Sequence, residues 1–199
     1  MARPSVRGKL IEAGLDSLHA QGFNGCSIQN IVDAAKVPKG SFFNHFKSKE
    51  LLALEAVQRY GQSSRMDILF DAAQPPLARL RNHFEYLAET YANRGYERGC
   101  LLGNFSSEMA SSHPQMRETL KGIFDAWCAV VTSIIREAQT AGDVDPSRDA
   151  GTLSDFVVNA WQGVVMRLKL VRERGPVDEF FTVCFGLVLA PAAAKPTLP

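Results

Sequence analysis

Ser27-Ile-Gln-Asn-Ile-Val-Asp-Ala-Ala-Lys-Val-Pro-Lys-Gly-Ser-Phe-Phe-Asn-His-Phe-Lys-Ser-Lys-Glu-Leu51 is the stretch on which the fold turns. It reads as two short helices joined by a tight turn. Ile28, Ile31 and Val32 recur at helical spacing, and Ser27 stands just before them, where a serine hydroxyl can accept a first-turn backbone N–H. Pro38 fits the first turn of the next helix, which ends near Phe46, and Ser48 is placed to cap a longer one through Leu51, Leu54, Val57 and Tyr60. On the second short helix basic, polar and aromatic side chains replace the apolar stripe. A helix so composed keeps one face in water or against a polar partner.

Working outward, Leu10, Ile11, Gly14, Leu15 and Leu18 mark one face of a first helix that Gly22 stops. Beyond the quoted stretch, Pro75 and Pro76 open a helix with Leu80, Phe84, Leu87 and Tyr91, and Gly95 to Gly99 interrupt before another from Leu101 to Ala110. Pro114 starts a long helix that runs through Trp127 and Ile135 to Gly142. Two more follow, Arg148 to Arg172 and Val177 to Leu189. Alternating runs bounded by hairpin turns are lacking, so the chain reads as all-α with about nine helices. Residues 1–49 form the expected first domain and 50–190 the second. The tail 191–199, alanines among Pro191, Pro196 and Pro199, is expected to be disordered.

The net charge of +1 over 199 residues hides an asymmetry. From Met1 to Lys49 seven basic residues oppose three acidic ones, a balance of +4 that leaves −3 for the remainder. Positive charge gathered in the first quarter is what a polyanion would meet. The four cysteines, Cys26, Cys100, Cys128 and Cys184, lie 74, 28 and 56 positions apart, too far for a zinc clamp or redox dithiol motif. No metal and no cofactor is expected. Neither a secretory start nor a run of about 20 apolar residues is found, so no membrane is expected and the cytoplasm is the expected location.

The run from Gly40 through His45 and Phe46 to Lys49-Glu50-Leu51 resembles the DNA-binding segment of TetR-family regulators. The specific likeness spans about Lys9 to Leu54; the rest of the chain agrees in helix number and order. The resemblance implies a helix-turn-helix dimer that places its third helix in the major groove of double-stranded operator DNA, with a C-terminal body that binds a small-molecule inducer; the alternative is a dimer that binds DNA constitutively, its body serving only to dimerise. It puts Lys39, Ser41, Phe42 and Asn44 toward base edges, Lys39 suiting guanine and Asn44 adenine or a phosphate. Ser27, Gln29, His45 and Lys49 would hold phosphates, and Gly40 would allow close backbone approach. Ile28, Ile31, Val32, Val37 and Phe46 are core. Two departures stand out. Lys36 occupies a turn position where the family has glycine, at a cost of about 1 kcal/mol for a left-handed backbone. Phe43 stands where the family has tyrosine, without its hydroxyl.

Arg98-Gly-Cys-Leu-Leu-Gly-Asn-Phe-Ser-Ser-Glu-Met109, taken with Val37-Pro-Lys-Gly-Ser-Phe42, resembles the branch of the family that responds to reactive electrophiles or small unsaturated acids. Cys100 precedes a helix, whose N-terminal partial charge together with Arg98 would favour a thiolate. The alternative is a small buried hydrophobe, the role expected of Cys26, Cys128 and Cys184. Tyr91, Phe105, Met109, Phe124, Trp127 and Trp161 could line an apolar pocket, with Arg98, Asn104 or Tyr91 as polar anchors, or simply pack as core. The last two helices carry apolar residues on more than one face; they form either a central core or, as the resemblance implies, the interface of a homodimer. No enzyme is expected: His19, His45, His83 and His113 show no context that would activate a nucleophilic cysteine.

Overall fold

The computed structural model describes residues 5–192, of which the expected tail contributes only Pro191 and Ala192. Among the described residues there are nine α-helices and no strand: α1 (Val6–Gly25), α2 (Ile28–Ala35), α3 (Lys39–Phe43), α4 (Lys49–Gln62), α5 (Pro76–Ala92), α6 (Leu101–Met109), α7 (Pro114–Ala141), α8 (Ala150–Val171) and α9 (Gly175–Val183). A short 3-10 turn, Met66–Phe70, and a π turn, Cys184–Val188, complete the list of helical elements.

The chain divides into two compact units, and the division differs from the expected break after residue 49. One unit joins the described part of 1–64 to 100–123; the other joins 65–99 to the described part of 124–199. The physical reason is α4. It buries Leu52, Ala53, Leu54, Ala56 and Val57 and packs on α1, so it belongs with the helices before it. Gly14 makes that packing possible, since a Cβ there would stand 2.3 Å from the Leu52 side chain.

In the first unit, Leu10, Ile11, Gly14 and Leu18 turn inward from α1, while Leu15 is half-buried. Helical geometry in α1 breaks at Gly22, where φ is +75°. Ser27 caps α2, accepting from the Asn30 N–H at 3.1 Å, and the Asn30 side chain accepts in return from the Ser27 N–H at 2.8 Å. Lys36 ends α2 at φ +55°, ψ +48°, the left-handed turn expected of it. Pro38 lies one position outside α3 rather than within its first turn, and α3 ends at Phe43, earlier than expected. Ser48 caps α4 through the Leu51 N–H at 3.2 Å.

The second unit centres on α5, α8 and α9 with the C-terminal part of α7. Leu80, Phe84, Leu87, Val131, Ile135, Val157, Trp161, Val165, Val177 and Phe180 are buried. Arg79 is buried with them: it donates to the Leu69 carbonyl at 3.1 Å and pairs with Glu137. Residues on α8 and beyond remain outside this core, with Met166 66 %, Leu170 80 % and Leu187 67 % exposed.

Candidate nucleic-acid interface and sensing residues

α3 is oriented by two phenylalanines. Phe42 is fully buried, with its ring centroid 5.7 Å from that of Phe46, which is also buried. The expectation that Phe42 faces the groove is therefore corrected. It sits four residues before Phe46, so one face of the turn carries both rings into the core. Phe43, 56 % exposed, points away instead. Lys39, Gly40, Asn44 and His45 are exposed alongside it and Ser41 is half-buried. A Cβ at Gly40 would meet nothing within 4 Å, so this turn is open to a close neighbour.

The residues expected to hold phosphates divide into two groups. Ser27 and Gln29 are exposed; Ser27 is engaged in its cap and Gln29 donates to Asp33 at 2.8 Å. Lys49 behaves differently. Its ammonium donates to the carbonyls of Phe23 and Cys26, each at 2.6 Å, and lies 4.2 Å from the Phe23 ring centroid. Its charge ties the end of α1 to the start of α4, an engagement that the sequence reading did not include. Burial pushes the Cys26 thiol up from its ordinary value, opposed by that same Lys49 charge.

Glu108 was not singled out by its sequence context, yet it fastens this junction from the other side. Its carboxylate accepts from the N–H groups of Phe23 at 2.8 Å and Asn24 at 2.7 Å. The broken turn after Gly22 is thus held by Glu108 at its N–H groups and by Lys49 at its carbonyls. Charge-assisted bonds of this kind contribute about 1.5–3 kcal/mol each. Because Glu108 lies near the end of α6, it links the helix that begins after Cys100 to the residues that immediately precede the helix-turn-helix.

The expected sensing residues fall into both units. Cys100, Asn104 and Phe105 belong to the first. Cys100 immediately precedes α6 as expected, its carbonyl accepts from the Asn104 N–H at 2.9 Å, and its side chain is buried. Phe105 is fully buried with its ring edge toward Phe23, 6.4 Å between centroids. Tyr91, Arg98, Trp127 and Trp161 belong to the second unit. There Trp161 lies 5.0 Å from both Phe84 and Phe180 and 6.4 Å from Tyr91, while Trp127 lies 6.0 Å from Phe84. His83, read in the sequence only as a histidine without an activating context, joins them with its ring 5.7 Å from Trp127. Burial holds its imidazole down at about 4, so it is neutral at pH 7. Cys184 is pushed up to about 12 by burial, and Cys128 to about 11 by burial and then Asp155. Neither is poised as a thiolate at neutral pH. The described residues include no group of three or more His, Cys, Asp or Glu able to hold a metal ion. None of their helices is long and apolar enough to cross a membrane.

An all-helical chain that presents a short polar helix behind a capped partner, followed by a larger helical body, has the organisation of a one-component helix-turn-helix regulator. Comparison gives the family. Residues 10–56 match the family model for bacterial regulatory proteins of the tetR family, and residues 76–184 match that for the tetracyclin repressor-like C-terminal domain. The chain belongs to the TetR family of transcriptional regulators. It is similar to the HTH-type transcriptional repressor DhaR of Mycobacterium sp. (strain GP1), 38% identical over 192 residues that cover 95% of each chain. With the transcriptional regulator AcuR of Cereibacter sphaeroides it shares 34% identity over 180 residues, 89% of this chain and 82% of that one. The crystal structure of a regulatory protein TetR from Rhodobacter sphaeroides superposes with a TM-score of 0.84 at 31% identity, covering 89% of this chain and 96% of that one.

Proposed function

We propose that this regulator represses transcription by binding a palindromic operator as a homodimer, and that a small molecule releases it. The observation that carries the reading is α3, which turns Lys39, Phe43, Asn44 and His45 outward while Phe42 and Phe46 anchor it. Lys39 and Asn44 have the donors to read base edges in a major groove, with Ser41 beside them. Ser27, Gln29 and His45 reach phosphates, and Gly40 lets the backbone approach. Phe43 replaces Phe42 as the aromatic contact of this helix.

The dimer forms through α8 and the segment from α9 onward. An apolar groove of about 220 Å³ runs between Phe156, Val164, Pro176, Phe180 and Val183, and Met166, Leu170 and Leu187 stand exposed on the same elements. An apolar surface of this kind favours an isologous partner. Release follows by linkage: a ligand that binds one spacing of the two recognition helices better than another shifts the population away from half-sites about 34 Å apart. The ligand class is a reactive electrophile or a small unsaturated acid. In the first unit Cys100, at the start of α6, is the candidate to meet it, with Asn104 and Phe105 on the same helix; in the second unit the candidates are Tyr91, Arg98, Trp127 and Trp161. Glu108 passes the change from α6 to the junction that precedes α2.

Selection of bound sites from randomised duplex DNA tests this, repeated with acrylate, methylglyoxal or N-ethylmaleimide and with Cys100→Ser. Recovery of a palindrome that is lost on adding one of these compounds is the expected result. Failure of a folded dimer to retain any site refutes operator binding. Loss of the site that persists in Cys100→Ser moves sensing to non-covalent contacts.

A further inference from the structure

Three cationic residues adopt positive φ among the described residues: Lys36 at +55°, Arg65 at +52° and Arg172 at +53°. A left-handed backbone disfavours any residue that carries a Cβ, and glycine is its ordinary occupant. The two arginines are held where they stand, Arg65 by Asp67 at 2.8 Å and Arg172 by Glu97 at 3.5 Å. Lys36 is not. Its backbone N–H closes α2 on the Val32 and Asp33 carbonyls, but its side chain is exposed and its ammonium makes no hydrogen bond or ion pair among the described residues.

The same contrast runs through the first unit. Arg7, Arg59 and Arg117 pair with Glu55, Glu12 and Glu118, and the carbonyls of Phe23 and Cys26 take Lys49. Lys36, Lys39 and Lys47 are exposed and unengaged, and all three lie between residues 36 and 47, the span that contains α3. Lys9, half-buried on α1, is likewise unengaged. Asp33 is the one acid between Cys26 and Ser48, and its carboxylate accepts from the Gln29 amide at 2.8 Å rather than from Lys36. A lysine thus stands where the backbone favours glycine, with no group of its own chain to receive its charge.

We propose that Lys36 takes a backbone phosphate of the operator from the turn ahead of α3, and that Lys47 takes another from the segment behind it. This rests on the operator-binding reading above and adds contacts that hold DNA without reading its sequence. Lys36 comes before Lys39, the first residue of α3, so it stands outside the helical turn that reaches base edges. Its ammonium is a compact charge on a flexible stem, which suits a phosphate oxygen better than the paired acceptors of a base edge. Each such contact releases counterions from the duplex, so its signature is a salt dependence common to all sequences.

The full chain and its Lys36→Gln, Lys36→Gly, Lys36→Arg and Lys47→Gln variants are titrated onto the palindrome recovered by selection and onto an unrelated duplex of equal length, between about 50 and 200 mM salt. Glycine suits the left-handed turn, so Lys36→Gly removes the charge without disturbing the fold. A dimer that loses one phosphate per subunit should lower the slope of log affinity against log salt by about 1.8, so the advantage of wild type over Lys36→Gln shrinks about twelvefold across that range. Lys36→Gly and Lys47→Gln should behave alike, on both duplexes, and Lys36→Arg should keep the wild-type slope. An unchanged slope in Lys36→Gln and Lys36→Gly, a loss confined to the palindrome, or a Lys36→Arg as weak as Lys36→Gln overturns the Lys36 contact. An unchanged slope in Lys47→Gln overturns that of Lys47. Should wild type prefer no site yet bind the unrelated duplex with these slope changes, the palindromic reading falls and the phosphate contacts stand. Wild type that binds neither duplex overturns both.

Discussion

Glu108→Ala should destabilise the first unit at the junction between α1 and α2, where its carboxylate holds the backbone. The carboxylate accepts two backbone N–H groups, Phe23 at 2.8 Å and Asn24 at 2.7 Å, and one of them is shielded from water. Charge-assisted bonds contribute about 1.5–3 kcal/mol each, but the exposed Asn24 N–H can turn to solvent, so the net cost is about 2 kcal/mol. At about 2–4 °C per kcal/mol for a chain of this size, the melting temperature falls by about 4–8 °C. Glu108→Gln keeps an acceptor oxygen without the charge and should lose about half as much. Gly22 supplies an independent check. An alanine there would place its Cβ 2.9 Å from Glu108 Oε2 at φ +75°, so Gly22→Ala carries both backbone strain and a collision with the carboxylate. Removing Glu108 relieves the collision but not the strain. In a double-mutant cycle followed by urea unfolding, the two changes together should therefore cost less than their sum by about 0.5–1 kcal/mol. Strict additivity, or an unchanged melting temperature for Glu108→Ala, would refute the clamp.

His83 gives the pH dependence. Its folded value of about 4 lies below the ordinary 6.5, so the unfolded chain binds the extra proton first as pH falls; stability is complete above pH 6.5 and declines toward pH 4 by about 3 kcal/mol. Urea midpoints between pH 4.5 and 7.5 should show this slope, and His83→Phe should flatten it. Lys36→Gly removes left-handed strain at φ +55° but gives the unfolded chain more freedom, for a net gain of about 0.5 kcal/mol by thermal unfolding. Lys39→Ala should weaken operator binding about tenfold in gel-shift titrations while leaving the fold intact, and equal affinity would remove Lys39 from the interface. Leu170→Asp, at a side chain 80 % exposed, should shift the chain toward monomer in sedimentation velocity with little loss of helical signal.

The helices were legible because their cause is local. Leu10, Ile11, Gly14 and Leu18 repeat at helical spacing, and the structure buries all four; Ser27 and Ser48 stand where caps are needed, and both accept the N–H expected of them. Lys36 was legible through the resemblance instead, which puts glycine at this turn position, and its backbone is left-handed. Phe42 shows how a motif can outvote a period. Its four-residue spacing from Phe46 already placed both rings on one face, and assigning it to the groove by motif position set that spacing aside.

Lys49 and Glu108 failed to show for a different reason. Their partners are backbone atoms, the carbonyls of Phe23 and Cys26 and the N–H groups of Phe23 and Asn24, which every residue type carries. A charge whose partner has no side-chain identity leaves no pattern to find, and Lys49 read as a phosphate ligand because its sign was the only information it offered. His83 is the remaining case, since Trp127, Arg65 and Asp67, which act on it, lie on other elements. The consequence for α3 is direct: the helix rotation that presents Lys39, Phe43 and Asn44 is set by an apolar pair visible in the sequence, whereas the junction that holds the start of α2 depends on two ionic ties that are not. Substitutions at Lys49 or Glu108 should therefore weaken DNA binding while leaving every outward-facing residue of α3 in place.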